Sequence, residues 1–343
     1  MKRDSNEFLK GASFLITGGT GSFGSTVTRY LLDTEVREVR ILSRDEKKQD
    51  DLRRELNDSR VRFYLGDVRD ISSLHGACRN VDYAFHAAAL KQVPSCEFFP
   101  HEAIMTNSLG SANFISACEM AGVKRAVLLS TDKAVYPINV MGATKLLSER
   151  LAISRARVCE SSTCFMVTRY GNVMASRGSV IPLFISKMTA GEPVTMTNPA
   201  MTRFLMSLSD SVDLVMHALR QGEKGDLFVK RAPASTILDL AAALAILTGT
   251  RLDVTDIGTR HGEKLHETLV SGEEMVFAKD EGEFFRVPVD SRDLNYSRYT
   301  DHGSQISTSQ GYNSENTDRL SIDELVTYLG NNREIRLLLN GTK

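Results

Sequence analysis

Two groups of residues in this chain have the types and spacing to do chemistry. Thr17-Gly18-Gly19-Thr20-Gly21-Ser22-Phe23-Gly24 follows an apolar run and precedes a helical pattern. Its glycines satisfy G-x-G-x-x-G at 19, 21 and 24, and G-x-x-G-x-x-G at 18, 21 and 24. One such glycine permits the tight turn, one lets a pyrophosphate approach the backbone, and one lets the helix pack on the strand with its N-terminus toward the anion. The second group is Thr131-Asp132-Lys133, at the end of another apolar run, with Lys145 downstream. A hydroxyl, a carboxyl and two amines at the mouth of a sheet can orient a substrate hydroxyl and exchange protons with it. The competing reading of Asp132 and Lys133 is a solvated loop pair; their place at a strand's carboxyl end favours chemistry.

The elements that must hold these groups follow from hydrophobic periodicity. Ser13–Thr17, Glu38–Leu42, Val61–Leu65, Val81–His86, Arg125–Ser130 and Thr163–Arg169 read as buried parallel strands. Helical patterns at Ser25–Leu32, Lys47–Leu56 and Asn107–Met120 lie between them. This alternation predicts right-handed βαβ crossovers and an α/β fold, a doubly wound parallel sheet of Rossmann type. The predicted division is a dinucleotide-binding domain over residues 8–170 and a smaller substrate lobe over 171–335, some segments of which return to the first core. In the second half, helices are predicted at Ser209–Gln221 with Gly222 as stop, near Ser235–Thr248 with Gly249 as stop, and at Ser321–Leu329. The last carries a capping box of Ser321 and Glu324, with Gly330 as its stop. Residues 271–316 are polar and read as an ordered excursion or a flap.

Composition removes several function classes. A net charge of -1 gives no global attraction to nucleic acid or an anionic membrane, so any anion site must be local. The five cysteines, Cys78, Cys96, Cys118, Cys159 and Cys164, form no C-x-x-C pair, so free thiols in a reducing compartment are expected. With no signal-like N-terminus and no long apolar span, the chain reads as cytoplasmic. No His/Asp/Glu spacing points to a metal site.

The end of the second strand selects the dinucleotide. An NAD site ordinarily places an acid there, whereas this chain has Ser43-Arg44, then Asp45, Lys47 and Lys48. A guanidinium and a hydroxyl suit a 2′-phosphate, so NADP is expected. The alternative makes Arg44 and Lys48 a solvated helix start and Asp45 its cap. Asp67-Val68 is placed to meet the adenine, and Ala87-Ala88-Ala89 lets backbone pack close to the cofactor.

Met141-Gly142-Ala143-Thr144-Lys145 resembles the segment in which short-chain dehydrogenases carry Tyr-x-x-x-Lys, Lys145 being the lysine that holds the nicotinamide ribose. The tyrosine slot is Met141, which cannot transfer a proton. Tyr136 stands five residues too early and would point elsewhere on a helix.

Together with SRDEKKQDD, FHAAALKQVPSCEFFP, STDKAVYPINVMGATK, TRYGNVMASRGSVIPLF, MTRFLMS, IGTRHGEK and DSRDLNY, the glycine segment resembles bacterial capsule and O-antigen enzymes, the C5-inverting UDP-N-acetylglucosamine 4,6-dehydratases of the extended short-chain dehydrogenase/reductase type. The likeness runs from about Phe8 to about Leu329, and Met141 resembles the capsule branch. It implies a redox-neutral cycle: oxidation at C4, loss of water across C5–C6, return of hydride to C6 and reprotonation of C5 on the other face. It assigns the C5 base to Lys133, helped by the positive charges of Lys145 and nicotinamide, and the acid toward the C6 hydroxyl to Asp132. Thr131 would orient the C4 hydroxyl, whose proton goes to Asp132, Lys133 or a water. Lys91 resembles a lysine reaching into the substrate site, or is a loop charge. Asn172, Val180, Ile181 and Pro182 resemble the strip along diphosphate and uracil; Arg203, Arg260 and Glu263 resemble the clamp on diphosphate and uridine ribose. His261 fits a structural role better than a catalytic one. The implied partner is UDP-N-acetylglucosamine or a close UDP-sugar, in a homo-oligomer, dimer or hexamer. Some close relatives carry the label UDP-glucose 4-epimerase, so that activity is the rival; a non-catalytic NADP-binding protein is the second.

Overall fold

The structure, a computed structural model, describes residues 4–157, 162–176, 178–290 and 310–341. Its first part follows the predicted alternation: β1 (Ser13–Thr17), α1 (Ser22–Leu32), β2 (Glu38–Ser43), α2 (Glu46–Leu56), β3 (Val61–Leu65), α3 (Ile71–Cys78) and β4 (Tyr83–His86). Short helices α4 (Val93–Phe98) and α5 (Pro100–Ala103) run through a π-helical turn at Ile104–Leu109 into α6 (Gly110–Ala121). The single helix expected over Asn107–Met120 therefore starts earlier and is π-wound up to Leu109; within that stretch the Asn107 amide is taken by the Leu90 backbone and the Thr144 hydroxyl. Then come β5 (Arg125–Thr131), α7 (Val140–Ala156) and β6 (Cys164–Tyr170).

The second part contains α8 (Val180–Thr189), β7 (Val194–Met196), β8 (Thr202–Phe204), α9 (Leu208–Gln221), β9 (Leu227–Lys230), β10 (Ala234–Thr236), α10 (Ile237–Thr248), β11 (Val254–Asp256) and β12 (Thr268–Val270). The polar stretch after Val270 is in part ordered, as α11 (Gly272–Met275), β13 (Lys279–Asp280), β14 (Phe284–Val287) and β15 (Tyr312–Asn313). Residues 291–309, and with them most of the DSRDLNY segment, lie outside the described residues. Helices α12 (Ile322–Asn331) and α13 (Arg333–Gly341) follow. The Ser321–Glu324 capping box is present, but Gly330 stays inside α12, which ends at Asn331 with Asn332 as its C-cap.

Among the described residues, nine strands form one sheet in the order β13-β14-β9-β6-β5-β4-β1-β2-β3. Every pair from β9 to β3 is parallel, and β14 and β13 close one edge antiparallel. The chain order reverses between β1 and β4, and a doubly wound sheet opens its ligand crevice at that switch. All five residues of β1 are buried, as a strand covered by helices on both faces requires. Two apolar cores result. The larger joins the sheet to its helices and takes in Val212, Leu214, Val215 and Leu219 of α9. The smaller unites α8, α10 and α12, with Phe184, Leu244, Leu325 and Leu329 fully buried.

Candidate active site

A cleft of about 910 Å³ runs across the carboxyl ends of the strands, from the glycine loop past Lys145 to Arg260. At one end, Gly18 has a φ of +68°, and a Cβ there would sit 2.7 Å from the backbone N of Ala88. A Cβ on Gly24 would lie 2.5 Å from the Cα of Gly19, so α1 starts hard against the turn. Gly21 caps α1 through backbone alone, leaving the helix N-terminus open toward the cleft. These close approaches leave a cradle for an anionic pyrophosphate. Ser22 and Phe23 line it, with the Phe23 ring stacked 6.2 Å from Tyr170.

Ser43, Arg44, Asp45 and Lys48 line the cleft's outer end. The Ser43 hydroxyl pairs with Thr20 Oγ1 at 2.9 Å. Asp45 caps α2 by accepting from the Lys48 backbone and also pairs with Lys48 Nζ at 2.7 Å. Arg44 reaches Asp67 at 3.6 Å, but Asp67 is engaged mainly by Arg69. Half its surface open, the Arg44 guanidinium remains available to a ligand. Asp67 and Val68 line the cleft as expected, as do Ala87, Ala88 and Ala89.

The chemical end is built by β5 and the first turn of α7. Thr131 ends β5 and donates its hydroxyl to Asp132 Oδ1 at 2.7 Å. Lys133 Nζ donates to the same oxygen at 3.1 Å. It also meets Glu267 Oε1 at 3.2 Å, a contact the sequence did not disclose. Both carboxylates are buried, and among the described residues Asp132 Oδ2 and Glu267 Oε2 have no hydrogen-bond partner. Arg203 Nε stands 3.9 Å from Glu267. Burial alone would free the Lys133 amine of its proton, but Asp132 and Glu267 outweigh it and hold the group above the ordinary lysine range, with Arg203 opposing them. The two carboxylates favour the ammonium.

Lys145 is itself buried, and burial, partly offset by Glu149, brings its amine down to about 8. Met141 lines the cleft while packing with Cys96, Ala103, Leu90 and Val93. Its position is fixed by Gly142, because a side chain there would collide with the Lys133 carbonyl. Asn139 caps α7 through the Gly142 N–H and donates to the Gly262 carbonyl at 2.9 Å, tying this turn to the Arg260–Glu263 loop. Tyr136 is exposed, bonded to Glu273 and outside the cleft.

Lys91, Asn172, Arg203, Arg260, His261 and Glu263 all line the cleft. Val180, Ile181 and Pro182 do not: they open α8, and Ile181 is buried in the smaller core. Helical periodicity turns that face inward. Besides Glu267, the sequence reading missed Tyr170, which lines the cleft beside Thr131 in the β5–β6 register. Burial and the Asp132 charge push its phenol up to about 12, so it does not replace the missing phenolate.

Under the floor, His86 donates to or accepts from Thr17 Oγ1 at 2.8 Å and stacks on Phe114. Burial, reinforced by Lys145, brings its imidazole down to about 3, so the folded ring is neutral. Its stability contribution is complete above about pH 6.5 and is lost as pH falls toward 3, at about 1.4 kcal/mol per pH unit. Denaturant titration at pH 7, 6 and 5 should show this slope, and His86→Gln should flatten it; an equal slope in both proteins would exclude His86 as the source.

A family model described as polysaccharide biosynthesis protein matches residues 14–289, and a model of that family's C-terminal region matches 290–336. The chain belongs to this family. Among curated relatives of this polysaccharide biosynthesis protein is the UDP-glucose 4-epimerase of Rickettsia akari, 54% identical over 319 residues, covering 91% of this chain and 94% of the relative. Pen from Bacillus thuringiensis superposes with a TM-score of 0.88 at 33% identity, over 95% of this chain and 99% of that one. DesIV, a dTDP-glucose 4,6-dehydratase from Streptomyces venezuelae solved with NAD, gives 0.68 at 25% identity, over 74% and 86%. The family, the sheet and the cleft make this polysaccharide biosynthesis protein a nucleotide-sugar-modifying enzyme of the short-chain dehydrogenase/reductase kind. No helix among the described residues is long and apolar enough to cross a membrane.

Proposed function

We propose that the protein is an NADP-dependent UDP-N-acetylglucosamine 4,6-dehydratase that inverts C5, with the UDP-6-deoxy-4-keto amino sugar destined for a surface polysaccharide. The observation that carries this reading is Met141 in the tyrosine slot, lining the same cleft as the Asp132–Lys133 pair, whose carboxylate is buried and whose amine is half-buried. Gly18, Gly21 and Gly24 would cradle the pyrophosphate, Ser43, Arg44 and Lys48 the 2′-phosphate, and Lys145 the nicotinamide ribose. When bound, NADP supplies the acceptor for hydride from C4 and its return at C6.

The protein's own groups handle the protons. With the cleft filled and water displaced, the Asp132–Lys133 ion pair is driven toward its uncharged form by one proton shift across the 3.1 Å contact. The resulting amine takes the C5 proton, and the Asp132 acid protonates the departing C6 hydroxyl, which leaves as water. Ammonium and carboxylate are thereby restored, so the elimination balances within the pair. Thr131 orients the C4 hydroxyl, whose proton passes on oxidation to a water or to the Asp132–Lys133 pair, and Arg203, Arg260 and Glu263 hold the UDP portion rather than the sugar ring.

Arg44→Asp should weaken NADP binding about ten- to a hundredfold while sparing NAD. Equal affinity of the native protein for the two dinucleotides would reject the 2′-phosphate assignment.

A 4-epimerase is the second reading, favoured by the name of the Rickettsia akari relative. It returns hydride to C4, and its usual tyrosine is absent here. Incubation with UDP-N-acetylglucosamine in deuterated water, followed by NMR, separates the two. A 6-deoxy-4-keto product carrying deuterium at C5 supports the dehydratase, a galacto-configured sugar the epimerase, and an unchanged sugar would count against both.

A further inference from the structure

We propose that Glu267 is a positioning residue that fixes Lys133 in the cleft and sets its basicity, making Asp132, Lys133 and Glu267 one proton-holding unit; this rests on the dehydratase reading above. Lys133 Nζ lies between two buried carboxylate oxygens, 3.1 Å from Asp132 and 3.2 Å from Glu267. Asp132 neighbours it in the chain, whereas Glu267 comes from the turn before β12, in the other half of the molecule. The Glu267 backbone is anchored independently of its carboxylate: its N–H donates to Ser314 Oγ at 2.9 Å and its carbonyl accepts from the Ser314 N–H at 2.8 Å. Thr202 extends that anchor by pairing with Ser314 at 2.6 Å. The carboxyl group thus hangs from a rigid frame. Its Oε1 takes Lys133, and among the described residues Oε2 has no partner.

A second carboxylate has a physical purpose here. An amine that must remove a proton from carbon needs a high affinity for that proton, and burial works against it. Asp132 cannot supply the charge throughout, because it loses charge when it becomes the acid. Glu267 stays outside that exchange and keeps attracting the proton to Lys133. Among the described residues, the cluster also includes Arg203 from β8, which opposes the ammonium, and Lys264. The Lys264 amine is kept below the ordinary lysine range by burial and bonds the Val135 carbonyl. Tyr170 on β6 senses Asp132 as a neutral phenol. Glu267 is therefore the negative charge from outside β5 that the cluster places on Lys133.

The test reads Lys133 directly, without substrate. Competitive acylation of the full-length protein across pH, with mass-spectrometric quantification of each lysine, gives the titration midpoint of Lys133. Glu267→Gln keeps the shape and removes the charge, so the midpoint should fall by about 1 to 3 pH units. Glu267→Asp should restore most of it. In turnover, Glu267→Gln should lower kcat at least tenfold with KM changed less than threefold, and move the pH profile in the same direction as the labelling midpoint. An unshifted Lys133 midpoint in Glu267→Gln would overturn the proposal, even in a proven dehydratase. A galacto product from the native enzyme with a shifted midpoint would instead sink the dehydratase reading and leave the charge-setting role intact.

Discussion

Lys133→Ala should abolish formation of the 6-deoxy-4-keto sugar, lowering kcat by about 10² to 10⁴ while the dinucleotide still binds. The side chain contributes no contact to the glycine cradle, and its carbonyl, which packs against Gly142, is unchanged by the substitution. Binding and proton chemistry are thus separable at this residue. Deuterium from solvent should appear at C5 of the native product and vanish in Lys133→Ala. Lys145→Ala should behave differently, weakening dinucleotide placement and the first oxidation. If C5 exchange persisted at the native rate in Lys133→Ala, Asp132 would become the base.

Arg169→Met should cost about 3 to 5 kcal/mol of stability, the largest loss expected from one substitution outside the cleft. Arg169 is fully buried on β6, paired in register with Ser130 of β5. Its guanidinium takes Glu149 through Nε at 2.8 Å and Nη2 at 2.7 Å, and Glu274 through Nη1 at 2.6 Å and Nη2 at 2.9 Å. Its fifth hydrogen bond goes to the Leu269 carbonyl. Without the guanidinium, two carboxylates would remain facing each other in the interior, one of them also bonded to the Ser130 hydroxyl. Pairing Arg169→Met with Glu149→Gln should recover part of the loss, since the like charges are reduced to one. Urea titration measures both; a loss below about 1 kcal/mol in the single variant would show that water reaches the network.

The half of the chain that alternates strand and helix was legible because a buried parallel strand leaves an apolar run no surface helix would carry. β1 and β3 coincide with the expected spans, β2, β4 and β5 differ by one or two residues at one end, and β6 is shifted by one residue at both. Strands of two to four residues such as β7, β8, β10 and β13 gave no such run, since their pairing is decided by distant partners. The cleft was legible for the same reason: the glycine loop, Ser43-Arg44 and Asp132 sit at predictable strand ends, and Lys145 lies on the helix that follows β5. Glu267 was not, although the residues preceding it were singled out. Its meeting with Lys133 joins positions far apart in the chain, and no spacing rule links a turn before β12 to the end of β5. The inward face of Ile181 was misjudged in the opposite sense, an apolar helix start being taken for a ligand wall.

The β6–β9 pairing also has a consequence in time. β6 is complete at Tyr170, but the strand that covers its open edge begins only at Leu227. At roughly 5–20 residues per second, a nascent chain would leave that edge unpaired for about 3 to 11 s. Val167, Thr168 and Arg169 would meanwhile present free backbone groups beside apolar neighbours, the template on which strands of separate chains join. Slow synthesis or crowded expression should therefore fill inclusion bodies before it reduces activity per folded molecule.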